Sequence, residues 1–207
     1  MNLSAIPRHL DVRRLGLDLD NTLIDYTASC KFLAPTFGID GSSATRDEIR
    51  RQLRHPNDDE EWQHFQSLLY TDGLNSALPA SGSVKFIRGC KGRGIEVFIV
   101  SHKTQSGPER FGARNLRAPA LHWLTRHNLV PRLIPEDRVF FADSMEAKVE
   151  SIASLRLDIF VDDLSDVLSH PKWPSSTLGL RYCPTSVGYY SPDTCVDFSA
   201  LNEWLGL

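Results

Sequence analysis

The segment LGLDLDNTLIDY, residues 15–26, places two carboxylates directly after a short apolar run. Asp18 and Asp20 are two positions apart, so on an extended chain their side chains point to the same face. Like charges held close together repel each other unless a cation, a shared proton or water separates them. The spacing is therefore compatible with a metal or acid–base site, and also with an ordinary turn in which Asn21 and Thr22 are the turn residues.

The bulk composition limits the classes of function. The chain has 207 residues, of which 41% are hydrophobic, and a formal net charge of -3. This length suits one domain with a sizeable core, or a core domain that carries a small insertion. The charge gives no sign of a nucleic-acid partner, and no apolar run approaches the roughly 20 residues that a membrane span needs. Since residues 1–15 also lack an apolar segment of signal-peptide length, we expect a cytoplasmic protein.

The four cysteines give no functional signal. Cys30, Cys90, Cys183 and Cys195 are scattered, and no Cys-x-x-Cys pair is present. We therefore expect neither a zinc site nor a redox motif. Cys183 and Cys195 are close enough in sequence to approach one another, but in a cytoplasmic protein we expect no disulfide between them.

Apolar, β-rich runs alternate with helical patterns along most of the chain. Helical spacing of apolar residues predicts core helices over residues 83–94, 118–129 and 145–155, the last with Ser144 as its N-cap. The predicted strands are residues 14–18, 95–101, 138–143, 158–163 and 177–183. This alternation is typical of βαβ units, so we predict a three-layered, Rossmann-like α/β domain with a mainly parallel sheet.

One long segment interrupts the alternation. Residues 26–78 contain no convincing buried strand, but residues 45–55 and 60–70 have helical character. We therefore predict a small helical insertion at 26–78, which leaves the core after the first strand. The core domain then consists of residues 1–25 and 79–207.

Polar residues follow several of the predicted strands. In an open α/β sheet the functional crevice lies outside the carboxyl ends of the strands, so these residues should converge there. Each residue alone is more simply a turn, cap or solvated side chain, but together they would supply carboxylates, an ammonium and a hydroxyl to one crevice. In chain order the converging side chains are Asp18, Asp20, Ser101, Lys148, Asp162 and Asp163.

The order and context of these residues resemble the haloacid dehalogenase superfamily of phosphatases and phosphotransferases. LDLDNTLID at 17–25 looks like its first motif and VFIVS at 97–101 like its second. Lys148 looks like the third motif, and VDDLSD at 161–166 looks like the fourth. The resemblance covers residues 13–183 of the core but not the insertion in detail.

The resemblance implies a role for each residue of the crevice. Asp18 is then the nucleophile and a ligand of Mg²⁺, and Asp20 is the general acid, with its main-chain carbonyl on the metal. Asp163 is implied as the direct metal ligand and Asp162 as a second or water-mediated one, although the pair could be reversed. Ser101 and Lys148 would bind the phosphate, together with backbone N–H groups of residues 19 to 21, among them Leu19 and Asn21.

Several charged residues near these motifs have two readings. Asp25 is a helix-start residue or a substrate contact, and Asp166 is a cap or a neighbour of the metal. His102 and Lys103 face either substrate or solvent. The arginines in PERFGARNLR form either a basic helix face or a contact for an anionic part of the substrate; they are Arg110, Arg114 and Arg117.

We therefore predict a Mg²⁺-dependent phosphomonoester hydrolase that acts through an aspartyl phosphate on a small phosphorylated metabolite. The insertion occupies the place of a cap in the resembled superfamily. The alternatives are a haloacid dehalogenase, a phosphomutase-type phosphotransferase, or a catalytically silent binding protein with the same fold. The sequence does not indicate the physiological substrate or the oligomeric state.

Overall fold

The fold is described from a computed structural model of the chain. The described residues are 11–42, 44–56, 58–105, 107, 109–111, 115–183 and 196–207.

A five-stranded parallel sheet forms the centre of the protein, with strand order β5-β4-β1-β6-β7. All five predicted strands are present, and the predicted mainly parallel α/β fold is confirmed. A short antiparallel pair, β2 with β3, lies outside this sheet. The strands are β1 (Arg14–Leu17), β2 (Ile24–Asp25), β3 (Leu78–Pro79), β4 (Glu96–His102), β5 (Val139–Ala142), β6 (Ile159–Asp162) and β7 (Leu178–Arg181).

The described residues contain eight α-helices. They are α1 (Thr27–Leu33), α2 (Arg46–Leu53), α3 (Glu60–Leu69), α4 (Ser83–Gly92), α5 (Arg117–Arg126), α6 (Met145–Ser154), α7 (Ser165–Leu168) and α8 (Phe198–Leu205). The three predicted core helices correspond to α4, α5 and α6, and Ser144 caps α6 by accepting a hydrogen bond from Ala147 N. The sequence reading did not predict α1 or α8, although α8 has an N-cap, Asp197, and an apolar face.

Helices cover both faces of the sheet, because side chains alternate along its buried strands. In β4, Val97 and Ile99 belong to the apolar cluster that includes residues of α4, α5 and α8. Phe98 and Val100 point the other way, into a second cluster with α6 and α7. The sheet is thus the middle of three layers, and its strand ends remain free to carry polar side chains.

The segment between β2 and β3 carries three helices, α1, α2 and α3. We refer to residues 26–78 as the insertion. Its interior is aromatic: the rings of Trp62 and Phe65 are stacked with centroids 5.7 Å apart. Its buried apolar residues belong to the same continuous cluster as one face of the sheet. Phe111, on the chain that follows β4, also stacks on His64 of α3, with centroids 4.9 Å apart.

Gly16 of β1 packs directly against a large side chain of the neighbouring strand β6. A Cβ atom at this position would collide with the side chains of Leu157 and Phe160. Since Phe160 belongs to β6, which pairs with β1, only glycine fits here without moving the neighbouring ring. Gly16 thus leaves room for Phe160 next to the strand that leads to Asp18.

The described cysteines differ in whether they form a disulfide. Cys30 and Cys90 are free and buried, whereas Cys183 is disulfide-bonded. The expectation that Cys183 carries no disulfide is therefore wrong; Cys195, the partner considered from the sequence, lies outside the described residues. The expectation was based on the expected cytoplasmic location of the protein. A cellular location does not determine how close two thiols lie in the fold. Within the described part of the chain, every helix is too short or too polar to cross a membrane.

Candidate active site

A tight loop follows β1 and carries the first two carboxylates of the site. Asp18 N donates to Val161 O of β6, and Leu19 O then accepts from both Leu23 N and Ile24 N. Asn21 has a left-handed backbone with φ of 62°. Asparagine tolerates this conformation better than most residues, which explains how the chain can turn so sharply after a buried strand.

Lys148 links the carboxylates of two different strand ends. Its Nζ donates to Asp18 Oδ1 at 2.5 Å and to Asp162 Oδ2 at 2.6 Å, and all three side chains are buried. Burial alone would lower the pKa of Lys148, but the two carboxylates outweigh it and hold the pKa above the usual value. Lys148 is therefore a permanent ammonium between its partners.

Burial acts on the acids of the site in the opposite direction. It raises the pKa of Asp18 well above the usual range; Lys148 opposes this shift, and the nearby carboxylates of Asp162 and Asp163 add to it. Burial likewise raises the pKa of Asp163 to about 7, with a further contribution from Asp162. Burial is thus the main cause of both shifts, and the neighbouring carboxylates add to it, since Asp18, Asp162 and Asp163 lie close together and only Asp18 and Asp162 bind the ammonium of Lys148.

The carboxylates form a suitable donor set for a hard divalent cation. Asp18, Asp162 and Asp163 each offer an oxygen, and these oxygens lie within 4.8 Å of one another. However, Asp162 already uses Oδ2 for Lys148 and Oδ1 for Leu164 N. Asp163 makes no such bond among the described residues, which favours Asp163 over Asp162 as a direct ligand. All-oxygen donors that carry excess negative charge fit Mg²⁺.

Polar groups without a hydrogen-bond partner occur at the ends of β1 and β4, the two paired strands that lead to Asp18 and Ser101. Ser101, at the end of β4, has a buried Oγ without a hydrogen-bond partner. The backbone N–H groups of Leu19, Asp20 and Asn21 likewise donate to no described backbone or side-chain acceptor. Unsatisfied buried donors are costly in a folded protein, and free donors at neighbouring strand ends are suited to binding an oxyanion.

Lys103 is a site residue that the sequence reading left undecided. Its side chain is buried, and Nζ lies 2.8 Å from Asp20 Oδ2 and 3.2 Å from Oδ1. Tyr26 OH donates to the same carboxylate, at 2.6 Å from Oδ1. His102, by contrast, is exposed. The alternation of side chains along β4 could have predicted this difference. It places Ser101 and Lys103 on one face of the strand and His102 on the other.

The insertion supplies two further aromatic and basic groups that sequence reasoning missed. Tyr70 follows α3; its ring lies edge-on to Tyr26 and 4.5 Å from Lys103 Nζ. Arg46, the first residue of α2, lies with its guanidinium over the ring of Trp62, 5.5 Å from the ring centroid. No spacing rule could have indicated these contacts, because they join segments that only the folded insertion brings together.

The remaining sequence candidates lie outside this cluster. Asp25 is exposed and accepts from Thr27 N, so it is a helix-start residue. Asp166 is exposed in the first turn of α7. Arg117 pairs with Asp143 and donates to Lys103 O, whereas Arg110 donates to Gln63 of the insertion. Arg114 lies outside the described residues.

Known structures share this fold. The chain is similar to a HAD hydrolase of family IA, variant 3, from Entamoeba histolytica, with a TM-score of 0.55, 13% identity, and coverage of 94% of this chain and 98% of that one. A HAD family hydrolase from Deinococcus radiodurans with bound phosphate and sodium gives a TM-score of 0.55, 12% identity, and coverage of 93% and 96%.

The fold is not confined to proteins named as hydrolases. The chain is also similar to Protein Tyrosine Kinase A from Mycobacterium tuberculosis, with a TM-score of 0.56, 15% identity, and coverage of 95% of this chain and 99% of that one. No family model matches the sequence, and no curated protein matches it either. These likenesses show that the protein has the fold of the HAD hydrolases, as its motifs predicted.

Proposed function

We propose that the protein is a Mg²⁺-dependent phosphomonoester hydrolase that acts on a small phosphorylated metabolite. The observation that carries this proposal is the environment of Asp18, a buried carboxylate at the carboxyl end of the central strand. Lys148 holds its Oδ1, and Ser101 and the 19–21 backbone offer donors without described partners at the same strand ends. Phosphoryl transfer requires a nucleophile together with donors of this kind for the phosphate oxygens.

The metal would be held by Asp18 and Asp163, with the main-chain carbonyl of Asp20, while Asp162 secures Lys148. Bound Mg²⁺ supplies charge neutralisation, so that a carboxylate can approach a phosphate dianion. Lys148 contributes one positive charge to the same task from the protein side. Its two carboxylate partners fix the direction of its ammonium before substrate arrives.

The reaction consists of two displacements at phosphorus. In the first, an oxygen of Asp18 forms a bond to phosphorus while the ester P–O bond breaks, and Asp20 donates a proton to the departing alkoxide. This leaves an aspartyl phosphate and a carboxylate at Asp20. In the second, Asp20 takes a proton from a water molecule whose oxygen bonds to phosphorus, and the Asp18–phosphorus bond breaks to release phosphate.

We further propose that the insertion, residues 26–78, acts as a cap over this site. Two of its residues support this role: Tyr26 OH donates to Asp20, and the ring of Tyr70 lies 4.5 Å from Lys103 Nζ. Such a cover would exclude water from the first displacement and contact the part of the substrate that does not react. Its small size suits a metabolite rather than a phosphorylated macromolecule.

The test is a panel of phosphate esters assayed with Mg²⁺ and with EDTA, for the wild type and Asp18→Asn. We expect turnover that depends on Mg²⁺ and falls at least about 1,000-fold in the variant, because the nucleophile is lost. Exposed Asp25→Asn is the matched control and should retain activity. Full Mg²⁺-dependent turnover by Asp18→Asn would refute the proposal, as would turnover of a small haloacid but of no phosphate ester.

A further inference from the structure

Arg117 joins the ends of two strands of the sheet next to the candidate site. It is the first residue of α5, and Asn115 Oδ1 fixes this end of the helix by accepting from the N–H groups of Arg117 and Ala118. Its Nε donates to the carbonyl oxygen of Lys103 at 2.9 Å, and its Nη2 donates to Asp143 Oδ1 at 2.6 Å. The guanidinium therefore bridges the residue that follows β4 and the residue that follows β5.

The main chain of Lys103 is held at both of its polar groups. Its N–H donates to Ala142 O at 2.9 Å, which continues the pairing of β4 with β5 by one residue. Its carbonyl oxygen accepts from Arg117 Nε. A main-chain carbonyl at the end of a strand needs a new acceptor role once the sheet stops, and here the Arg117 side chain supplies the donor.

The side chain of Lys103 starts from this fixed backbone and ends at Asp20. It is buried, and its Nζ lies 2.8 Å from Asp20 Oδ2 and 4.5 Å from the centroid of the Tyr70 ring. A lysine side chain has several rotatable bonds, so holding it in one geometry costs conformational entropy. Fixing its backbone removes part of the freedom that would otherwise compete with the contact to Asp20.

We propose that Arg117 is a positioning residue of the candidate active site: it fixes the main chain of Lys103 and thereby holds the Lys103 ammonium against Asp20. The inference rests on the proposed phosphatase function, in which Asp20 transfers the proton. From the sequence, Arg117 was either part of a basic helix face or a contact for an anionic part of the substrate. The structure supports a third role, because the hydrogen bonds described for its guanidinium end on the protein itself.

The experiment compares two phosphate esters that differ in their need for a proton. The alkoxide that leaves propyl phosphate must be protonated, whereas p-nitrophenyl phosphate releases a stable phenolate. We measure kcat for both in the wild type, Arg117→Met, Arg117→Lys, Lys103→Met and the double variant Arg117→Met/Lys103→Met. The matched control is Arg126→Met, because Arg126 ends the same helix and also donates to a main-chain carbonyl, but that carbonyl belongs to Leu74 of the insertion.

We expect the ratio of kcat for propyl phosphate to kcat for p-nitrophenyl phosphate to fall about 10-fold in Arg117→Met, the usual effect of losing a hydrogen bond from a charged donor. Arg117→Lys should recover part of the ratio, because an ammonium can still reach one of the two acceptors. The double variant should have the same ratio as Lys103→Met, since Arg117 acts through Lys103 and the two losses do not add. Arg126→Met should keep the wild-type ratio.

Two kinetic results would overturn the inference. One is an Arg117→Met variant that keeps the wild-type ratio, whether or not both esters are slowed; the other is a double variant whose ratio lies below that of Lys103→Met. Each ratio is taken within one protein sample, so it does not depend on the fraction of a variant that folds.

Failure of the proposed function itself would look different, since the wild type would then hydrolyse neither ester. Acetylation of lysines by acetic anhydride, measured by mass spectrometry, tests the contact without turnover. In the wild type, buried Lys103 should be labelled more slowly than exposed Lys85. In Arg117→Met the labelling of Lys103 relative to Lys85 should rise at least about 3-fold, because the chain at Lys103 opens more often. An unchanged relative labelling would overturn the inference.

Discussion

Lys103 Nζ lies 2.8 Å from Asp20 Oδ2, which pairs a buried ammonium with the proposed general acid. Tyr26 OH binds the other oxygen of the same carboxylate. These two donors stabilise the carboxylate that remains after Asp20 has given its proton to the leaving group. In the proposed mechanism Lys103 is therefore a positioning residue for proton transfer.

Lys103→Met should therefore slow hydrolysis most where the leaving group needs a proton. We expect kcat for propyl phosphate to fall about 100-fold, and kcat for p-nitrophenyl phosphate to fall much less, because nitrophenolate leaves without protonation. Steady-state kinetics with both esters measure the difference. Lys85→Met, on the exposed face of α4, is the control and should resemble the wild type. An equal loss on both esters would show that Lys103 does not act through Asp20.

Lys148→Met should destabilise the protein. It leaves Asp18 and Asp162 buried without their common cation, and loss of one partner of a buried ion pair costs about 3–5 kcal/mol. Since the two acids can neutralise themselves by protonation, the loss should be larger at about pH 8 than at about pH 5. Urea denaturation at both pH values measures it. A loss that is the same at both pH values would contradict the expected charge repulsion.

Mg²⁺ should stabilise the protein more as the pH rises. Burial raises the pKa of Asp163 to about 7, whereas an unfolded aspartate titrates near 4. Between these values the native state binds a proton that the unfolded state lacks, so the stability of the metal-free protein falls as pH rises through this window. Mg²⁺ needs the deprotonated ligands, so its stabilising effect should grow over the same interval.

Melting temperatures with Mg²⁺ and with EDTA, at about pH 5.5 and about pH 8, test this dependence. Asp163→Asn should lose most of the stabilisation by Mg²⁺ at the higher pH. Asp166→Asn is the control, because Asp166 is exposed on the neighbouring helix. A metal-dependent shift of equal size at both pH values would mean that these buried acids are not the ligands.

Gly16→Ala should cost about 1–3 kcal/mol of stability, the usual penalty for overpacking a core. The new methyl group would collide with Leu157 and Phe160 and push β1 away from β6. Gly92→Ala is the matched control, since its added Cβ meets no atom within 4 Å. That control should be neutral or slightly stabilising, because alanine favours the helix more than glycine. Chemical denaturation of both variants measures the difference.

Local patterns of apolar residues in the sequence determined the main secondary structure of this protein. Alternation of apolar runs and helical spacing was enough to predict the five-stranded sheet, because a parallel strand buried on both faces must read as a continuous apolar run. Polar residues at several predicted strand ends indicated one crevice, and the structure brings Asp18, Lys148, Asp162 and Asp163 together there. This works because the carboxyl ends of parallel strands lie along one edge of the sheet, so residues that follow different strands meet there.

The tertiary structure decided which neighbouring charges join the site. Sequence reasoning left Asp25, His102 and Lys103 open, and only the fold makes the first two exposed and the third the partner of Asp20. The contacts of Tyr26 with Asp20 and of Tyr70 with Lys103 join residues that lie far apart in the sequence or on different elements. Their positions are set by long-range aromatic packing, which has no period along the chain and therefore leaves no signal in the sequence.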